Sequence, residues 1–303
     1  MGFSFRPLDA EGPEELYGAF MEAFSDYAVP VTATFDDFRT MHRRRGVSYA
    51  ASVGAYDGGR LAGFVFNGTG TWRGAPCAYD AGTGVLPAWR GRGLTAAMAS
   101  ASIETLGKLG FGSWLLEVLV GNEKAHRAYL KAGFRETRRF VCPEGTVAGP
   151  EQPGLEAEAR AGVRVLERAA RDVAAFASWR DWKPSWQNSD ESLARNPEPM
   201  TTLVAFEDGN GGRGAPTGEP VGYVVATRKG SVAQLAVRPD RRRRGVGRAL
   251  VAALASRTGG TVRYINVQSD DRATLGLLSS FGIGAGVEQR EMELRLAGGR
   301  EFP

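Results

Sequence analysis

Two turns rich in glycine and arginine stand half a chain apart. One reads Arg90-Gly91-Arg92-Gly93-Leu94-Thr95; the other reads Arg242-Arg243-Arg244-Gly245-Val246-Gly247. Each follows a strand-like run ending in Val-x-Pro, at Val85-Leu86-Pro87 and Val237-Arg238-Pro239, and each opens a helix of small residues. Strand, glycine turn and helix N-terminus in that order converge backbone N–H groups on an anion. Glycine lets the main chain approach a ligand with no Cβ between them. The helix dipole adds positive potential, and Arg90, Arg92, Arg242, Arg243 and Arg244 can add charge-assisted hydrogen bonds to a pyrophosphate. The members correspond at a fixed offset: Val85 and Val237, Arg90 and Arg242, Gly93 and Gly245, and Met98 and Leu250 all stand 152 residues apart.

Other phosphate-binding signatures do not fit. The chain has no Gly-x-x-x-x-Gly-Lys-Ser/Thr loop. No Gly-x-Gly-x-x-Gly turn follows the first strand of a βαβ unit with an acid about 20 residues on. The run from Val85 to Thr95 instead resembles the pyrophosphate signature Arg/Gln-x-x-Gly-x-Gly/Ala of the GCN5-related N-acetyltransferases. Its last position departs from the pattern, because Thr95 stands where Gly or Ala is usual. Asn122-Glu123-Lys124-Ala125-His126-Arg127-Ala128-Tyr129-Leu130-Lys131-Ala132-Gly133-Phe134 is similar to that family's Asn-x-x-Ala-x-x-x-Tyr-x-x-x-Gly-Phe segment. The second turn matches the first signature in full, so the resemblance covers essentially the whole chain as two tandem domains.

That resemblance implies an α/β fold in which each domain is a mixed sheet flanked by helices and splayed between its fourth and fifth strands. It implies acetyl-CoA as cosubstrate and direct attack by the amine of a small molecule or peptide. Tyr129 takes the place of the family's general acid for the departing thiolate. The Val85 N–H takes that of the donor to the thioester oxygen, worth several kcal/mol in such sites, with Val237 as its counterpart. Asn122 is a pantetheine ligand or a helix cap. Asp80, five residues before Val85, is the nearest carboxylate able to take the amine proton through water; Glu117 is a second candidate, expected to be buried and paired. The second copy has Leu277 and Leu278 where a tyrosine is needed and Gln234 in its fourth strand, so chemistry is expected in the N-terminal domain. Two alternatives stay open: a catalytic C-terminal domain, with Tyr264 or water as acid, and an acyl-CoA-binding regulator without turnover.

The positioning elements are legible by period and punctuation. In the first half, strands are expected over residues 3–6, 48–56, 61–67, 75–86, 114–120 and 134–142, with helices over 13–24, 34–44 and 91–109 and from about 122. The run 143–162, rich in Gly, Pro, Glu and Ala, reads as a connection. Strands at 163–166, 201–207, 220–228, 232–237, 262–267 and 287–296 then recur, with helices at 169–179, 190–195, 245–258 and 272–280, and 208–218 as a mobile loop. Domains are expected over 1–145 and 162–298, with 146–161 as the linker. Acceptor pockets are expected at Phe24, Asp26, Tyr27, Phe38 and Arg45 in the first domain. In the second they are expected at Trp179, Trp182 and Trp186, unless these tryptophans join the domains.

Bulk properties agree with two domains: 303 residues, 43% apolar and 24% charged. A net charge of +4 with a pI of about 9.2 is too scattered for a nucleic-acid face. Neither a membrane span nor a secretion signal is apparent. Cys77 and Cys142 form no disulfide framework, and with His42 and His126 the only histidines a metal site is not expected. A cytoplasmic monomer or homodimer is expected.

Overall fold

The structure is a computed structural model; it describes residues 2–26, 32–147, 153–168, 170–195, 200–208 and 218–297. Tyr27 and residues 209–217 of the expected mobile loop lie outside the described residues. The chain divides into two compact units, one of Met1–Arg138, Arg195–Pro197 and Arg290–Pro303, the other of Arg139–Ala194 and Glu198–Gln289. Neither is contiguous in sequence.

Unit 1 opens with β1 (Ser4–Pro7), α1 (Pro13–Ala23) and α2 (Phe35–Arg45). Pro13, Glu14 and Glu15 in the first turn of α1 match the orphan N–H groups and positive dipole end there. Thr34 and Asp37 form a reciprocal capping box on α2, which ends at Gly46 in the left-handed region with φ 71°. Then come β2 (Val53–Asp57), β3 (Arg60–Trp72) and β4 (Ala75–Val85). The expected strand at 48–56 begins only at Val53, because 48–52 form a turn held by Ser52 Oγ to the Ser48 carbonyl. Two-residue turns with both residues at positive φ, Gly58-Gly59 and Arg73-Gly74, join these strands. Helix α3 (Leu94–Lys108), β5 (Ser113–Leu119), α4 (Glu123–Lys131) and β6 (Arg135–Thr146) follow. The sheet order is β1-β2-β3-β4-β5, after which comes β13 (Gly284–Arg295), whose residues from Arg290 on belong to this unit. Met292 and Leu296 are buried in one core with Met98, Leu106, Trp114 and Phe134.

Unit 2 takes the end of β6, then α5 (Pro153–Ala161), β7 (Val163–Arg168), a 3-10 helix (Ala170–Trp179) and α6 (Asp190–Arg195). Its remaining elements are β8 (Met200–Glu207), β9 (Pro220–Thr227), β10 (Ser231–Val237), α7 (Val246–Arg257), β11 (Thr261–Tyr264), β12 (Val267–Gln268), α8 (Arg272–Ser279) and the start of β13. Its sheet runs β7-β8-β9-β10-β11-β6. The stretch 143–162, read as a connection, contains the end of β6 and helix α5; Ala157 and Ala161 pack on the α7 core, so its small residues serve close helix contact. The strand expected at 262–267 breaks at Asn266, which takes φ 62°. Among the described residues no helix is long and apolar enough to cross a membrane.

Candidate functional site

Strand β4 pairs with β5 in parallel only at Cys77↔Ser113, Ala78↔Trp114 and Tyr79↔Leu115. Past Tyr79 the strands part. A β-bulge drives the divergence: Asn67 faces Asp80 and Phe66 faces Gly82, leaving Ala81 without an opposite number on β3. At the far end of β4 the Leu86 N–H donates to the Ala62 carbonyl. By the alternation of an antiparallel ladder, Gly63↔Val85 is then a non-bonded pair. The Val85 N–H is therefore turned away from β3, toward the open side, where the resemblance requires an oxyanion donor.

The glycine turn follows at once. Gly91 and Gly93 both take positive φ (76° and 75°), and a Cβ at either would meet nothing within 4 Å. Gly93 is the N-cap of α3, with no side chain capping the helix. The exposed N–H groups of this end suit a pyrophosphate, including those of Leu94 and Thr95. Arg90 has another task. Its guanidinium donates to both Asp26 carboxylate oxygens (2.6 and 2.9 Å) and to the Ala23 and Val85 carbonyls (3.0 and 3.2 Å). It ties the end of α1 to the end of β4 and holds the exposed Asp26 carboxyl below its ordinary pKa through that hydrogen bond. Arg92 is exposed at the turn, with one long bond to the Ala88 carbonyl (3.4 Å).

In the opening beside the bulge, two residues singled out from sequence meet. The Tyr129 hydroxyl donates to Asp80 Oδ2 at 3.3 Å. Asp80 is only 8% exposed; its Oδ1 accepts from the Gly82 N–H (2.9 Å) and its Oδ2 from the Thr83 hydroxyl (2.7 Å). Burial raises its pKa, and bonds from Thr83, Gly82 and Tyr129 and the charge of Arg45 offset part of that rise. Asn122 accepts from the Ala125 N–H at 3.1 Å and so caps α4. Glu117 faces Tyr79, whose phenol is held neutral by burial and by the charge and hydrogen bond of Glu117. Thr83 and the bulge were not foreseen, although Gly82 and Gly84 inside a strand-like run signal such an irregularity.

Unit 2 repeats this frame and changes its contents. Its bulge falls between Val232 and Gln234, at Ala233, the residue 152 places after Ala81. Arg242 repeats Arg90, donating to Asp181 (2.8 Å) and to the Trp179 and Val237 carbonyls (2.9 and 3.2 Å). The Arg238 N–H donates to the Val221 carbonyl, so the Val237 N–H is turned to the open side as well. Gly245 caps α7 with φ 86°, while Arg243 takes the left-handed place of Gly91 at φ 59°. Gly247 lies within α7; a Cβ there would come within 3.1 Å of Leu277, so the missing side chain lets α8 approach. Arg244 is exposed at the turn and Val246 is buried beneath it.

The acid pair is absent from this frame. Val232 stands in the place of Asp80, and Leu278, aligned through the helix caps Asn122 and Asp271, in that of Tyr129; both leucine and valine are buried. At Gly82 an added Cβ would come no nearer than 3.8 Å to Phe66, whereas its counterpart Gln234 fills that corner. The Gln234 amide donates to the Asn188 carbonyl and Asp190 Oδ1 and accepts from Tyr223. Arg180 closes the network on Asp190 at 2.8 Å through both carboxylate oxygens. The Tyr264 hydroxyl accepts from the Leu235 N–H (3.1 Å) and burial holds it protonated. A cavity of about 680 Å³ remains, lined by Trp179, Trp182, Arg242, Gly245, Leu277 and their neighbours.

The expected acceptor residues divide. Phe38 is fully buried against His42 and Phe66, and Asp26 is taken up by Arg90, while Arg45 donates to the Ala81 carbonyl at 2.8 Å. Phe24 packs on Phe20 and Phe64. The tryptophans serve unit 2 itself: Trp186 is core, Trp179 stacks on Phe176, and Trp182 donates to Asp271 at 2.8 Å. Among the described residues no group of three or more His, Cys, Asp or Glu could hold a metal ion.

A family model described as the acetyltransferase (GNAT) family matches the chain twice, at residues 13–134 and 171–283. Among solved structures, the chain is similar to a GCN5-related N-acetyltransferase from Sphaerobacter thermophilus (TM-score 0.68, 17% identity, covering 99% of this chain and 98% of that one). It is also similar to a tandem GNAT protein from the clavulanic acid biosynthesis pathway (0.67, 15%, 98% and 99%). A third is a GCN5-related N-acetyltransferase from Anabaena variabilis (0.60, 14%, 98% and 73%). At these identities the likeness is one of fold. No curated protein sequence matches the chain.

Proposed function

The chain belongs to the acetyltransferase (GNAT) family as two such domains in tandem, and on that premise we propose that it moves an acetyl group from acetyl-CoA to an amine in unit 1. The observation that carries this reading is the Tyr129–Asp80 hydrogen bond beside the splayed strands. Bound acetyl-CoA supplies a thioester carbonyl activated toward amines. The α3 N-terminus, with Gly91, Arg92, Gly93, Leu94 and Thr95, would hold its pyrophosphate. The Val85 N–H would hold the carbonyl oxygen as negative charge develops there. Asp80, its proton affinity raised by burial, takes the proton lost by the attacking amine through water. Tyr129 gives a proton to the sulfur as the carbon–sulfur bond breaks, and the Tyr129–Asp80 contact returns one to the phenolate. The amine thus loses one proton and the thiol gains one, and the enzyme ends as it began.

Unit 2 supports a second reading of its own half. Its cavity and its repeated glycine turn favour binding of the same cosubstrate by Gly245, Val246 and Arg243 without turnover, since Val232 and Leu278 cannot exchange protons. Calorimetric titration with acetyl-CoA on wild type, Gly93→Glu and Gly245→Glu tests both readings, combined with release of free thiol against a panel of primary amines. Each variant puts a carboxylate at an anion site. Loss of turnover in Gly93→Glu, with turnover kept in Gly245→Glu, is expected. The opposite result would transfer the chemistry to unit 2, and tight binding with no amine acetylated would favour a regulator.

A further inference from the structure

We propose that Arg45, on α2, is a positioning residue for Asp80, acting through the carbonyl of the bulge residue Ala81; this rests on the proposed role of Asp80. A bulge residue has no opposite number in the ladder, so the direction of its peptide is set by what it bonds outside the ladder. Arg45 Nη1 donates to the Ala81 carbonyl at 2.8 Å. The next N–H along the chain, that of Gly82, is part of the same peptide unit and donates to Asp80 Oδ1 at 2.9 Å. One planar peptide group therefore has Arg45 at its oxygen and the Asp80 carboxylate at its nitrogen. Turning that plane breaks both bonds together.

The other end of Arg45 is fixed just as firmly. Helix α2 stops at Gly46, and the Thr69 N–H donates to the Gly46 carbonyl at 2.9 Å. The Ser48 N–H donates to the carbonyl of Asn67 (2.9 Å), the residue opposite Asp80 on β3. Arg195 Nη1 donates to the Thr69 carbonyl beside the same glycine. The base of the arginine and the bulge it holds are thus anchored to the same stretch of β3. Unit 2 meets the same need differently: the residue after its bulge, Gln234, reaches out to Asn188 and Asp190 with its own side chain. Gly82 has none, so in unit 1 the support comes from a neighbouring helix.

The titratable and charged groups facing Asp80 are Tyr79 on its own strand, Tyr129 on α4 and Arg45 on α2, with Glu117 on β5 acting on Tyr79. Arg45 is the cation of this set. It favours the ionised carboxylate by its charge as well as orienting it.

The test is a carbon-13 carboxyl titration of aspartate-labelled full-length protein by NMR, with Asp80 assigned by its loss in Asp80→Asn. Arg45→Gln is expected to move the Asp80 midpoint up by about one pH unit. It should also lower kcat for any amine that wild type acetylates by roughly 10-fold, with KM for acetyl-CoA within about 2-fold. Arg45→Lys keeps the charge but not the planar fork; it should raise the midpoint less than Arg45→Gln does while speeding amide exchange at Gly82. An unmoved midpoint in Arg45→Gln with native melting overturns the proposal. If that variant does not fold, Gly82 exchange in Arg45→Lys decides alone, and an unchanged rate overturns it. Full acetyl transfer by Asp80→Asn would sink the proton relay instead, and would leave the Arg45 coupling to be judged by the titration.

Discussion

The Tyr129 hydroxyl lies 3.3 Å from Asp80 Oδ2 across 49 residues of sequence. The distance is long for an O–H···O bond, and the partners, on α4 and β4, meet just past the last β4–β5 pair, Tyr79↔Leu115. A phenol and a carboxylate placed this way can pass a proton with little movement of heavy atoms.

Tyr129→Phe keeps the ring packing on Phe134 (5.5 Å between centroids) and removes only the hydroxyl. It should lower kcat by about 100-fold and leave acetyl-CoA binding within about 2-fold, as expected when a general acid is removed. Equal kcat in steady-state assays would exclude the hydroxyl from the reaction.

Asp80→Asn separates activity from stability. Burial raises the folded-state pKa of Asp80 above its unfolded value, so the folded protein holds this proton more tightly. The group's contribution is favourable at low pH and is lost as pH rises through the folded pKa. Above that pKa the buried charge is a cost that the amide removes. The variant should melt about 2–4 °C higher than wild type at pH 7.5, with no gain at pH 4, and lose acetyl transfer. A lower melting temperature at pH 7.5 would contradict the burial argument.

His42 carries the opposite sign. Packed against Phe38 and Phe66 with its Nδ1 3.1 Å from the Tyr49 hydroxyl, it is pushed down to about 3 by burial and then by Arg45. The unfolded chain therefore binds the proton first. The stability due to neutral His42 is fully present above about pH 6.5 and falls by roughly 1.4 kcal/mol per unit as the pH drops toward 3. His42→Gln, which does not titrate, should shrink the fall in melting temperature between pH 7.5 and 5. An identical fall in both proteins would show that other groups set the acid limit.

Residues 1–145 alone should not melt cooperatively. They lack Met292 and Leu296, fully or nearly buried in the unit 1 core, and each such side chain contributes about 1.5–3 kcal/mol on burial. They also lack Glu291, whose carboxylate accepts from Arg138 (2.9 and 2.8 Å) and from the Thr137 hydroxyl (2.8 Å). The combined loss rivals the whole stability of a small domain. Circular dichroism with and without a peptide of residues 284–297 checks this, and a sharp transition without the peptide would refute it.

What the residue order determined by itself is the local part of the molecule: two glycine turns 152 residues apart, each opening a helix, the capped ends of α2 and α4, and the hairpin at Gly58-Gly59. These depend on main-chain preferences over a few neighbouring residues, and periodicity and punctuation carry them. The candidate acid and carboxylate were also legible one by one, through the Asn122–Phe134 segment and the strand before Val85. Tertiary packing decided that they touch. It also gave Arg90 and Arg242 to Asp26 and Asp181, 64 and 61 residues away, and gave the last strand of the chain to the first unit's core. Those pairings are won by shape and charge among distant segments competing for the same surface, and no window of local sequence contains that competition.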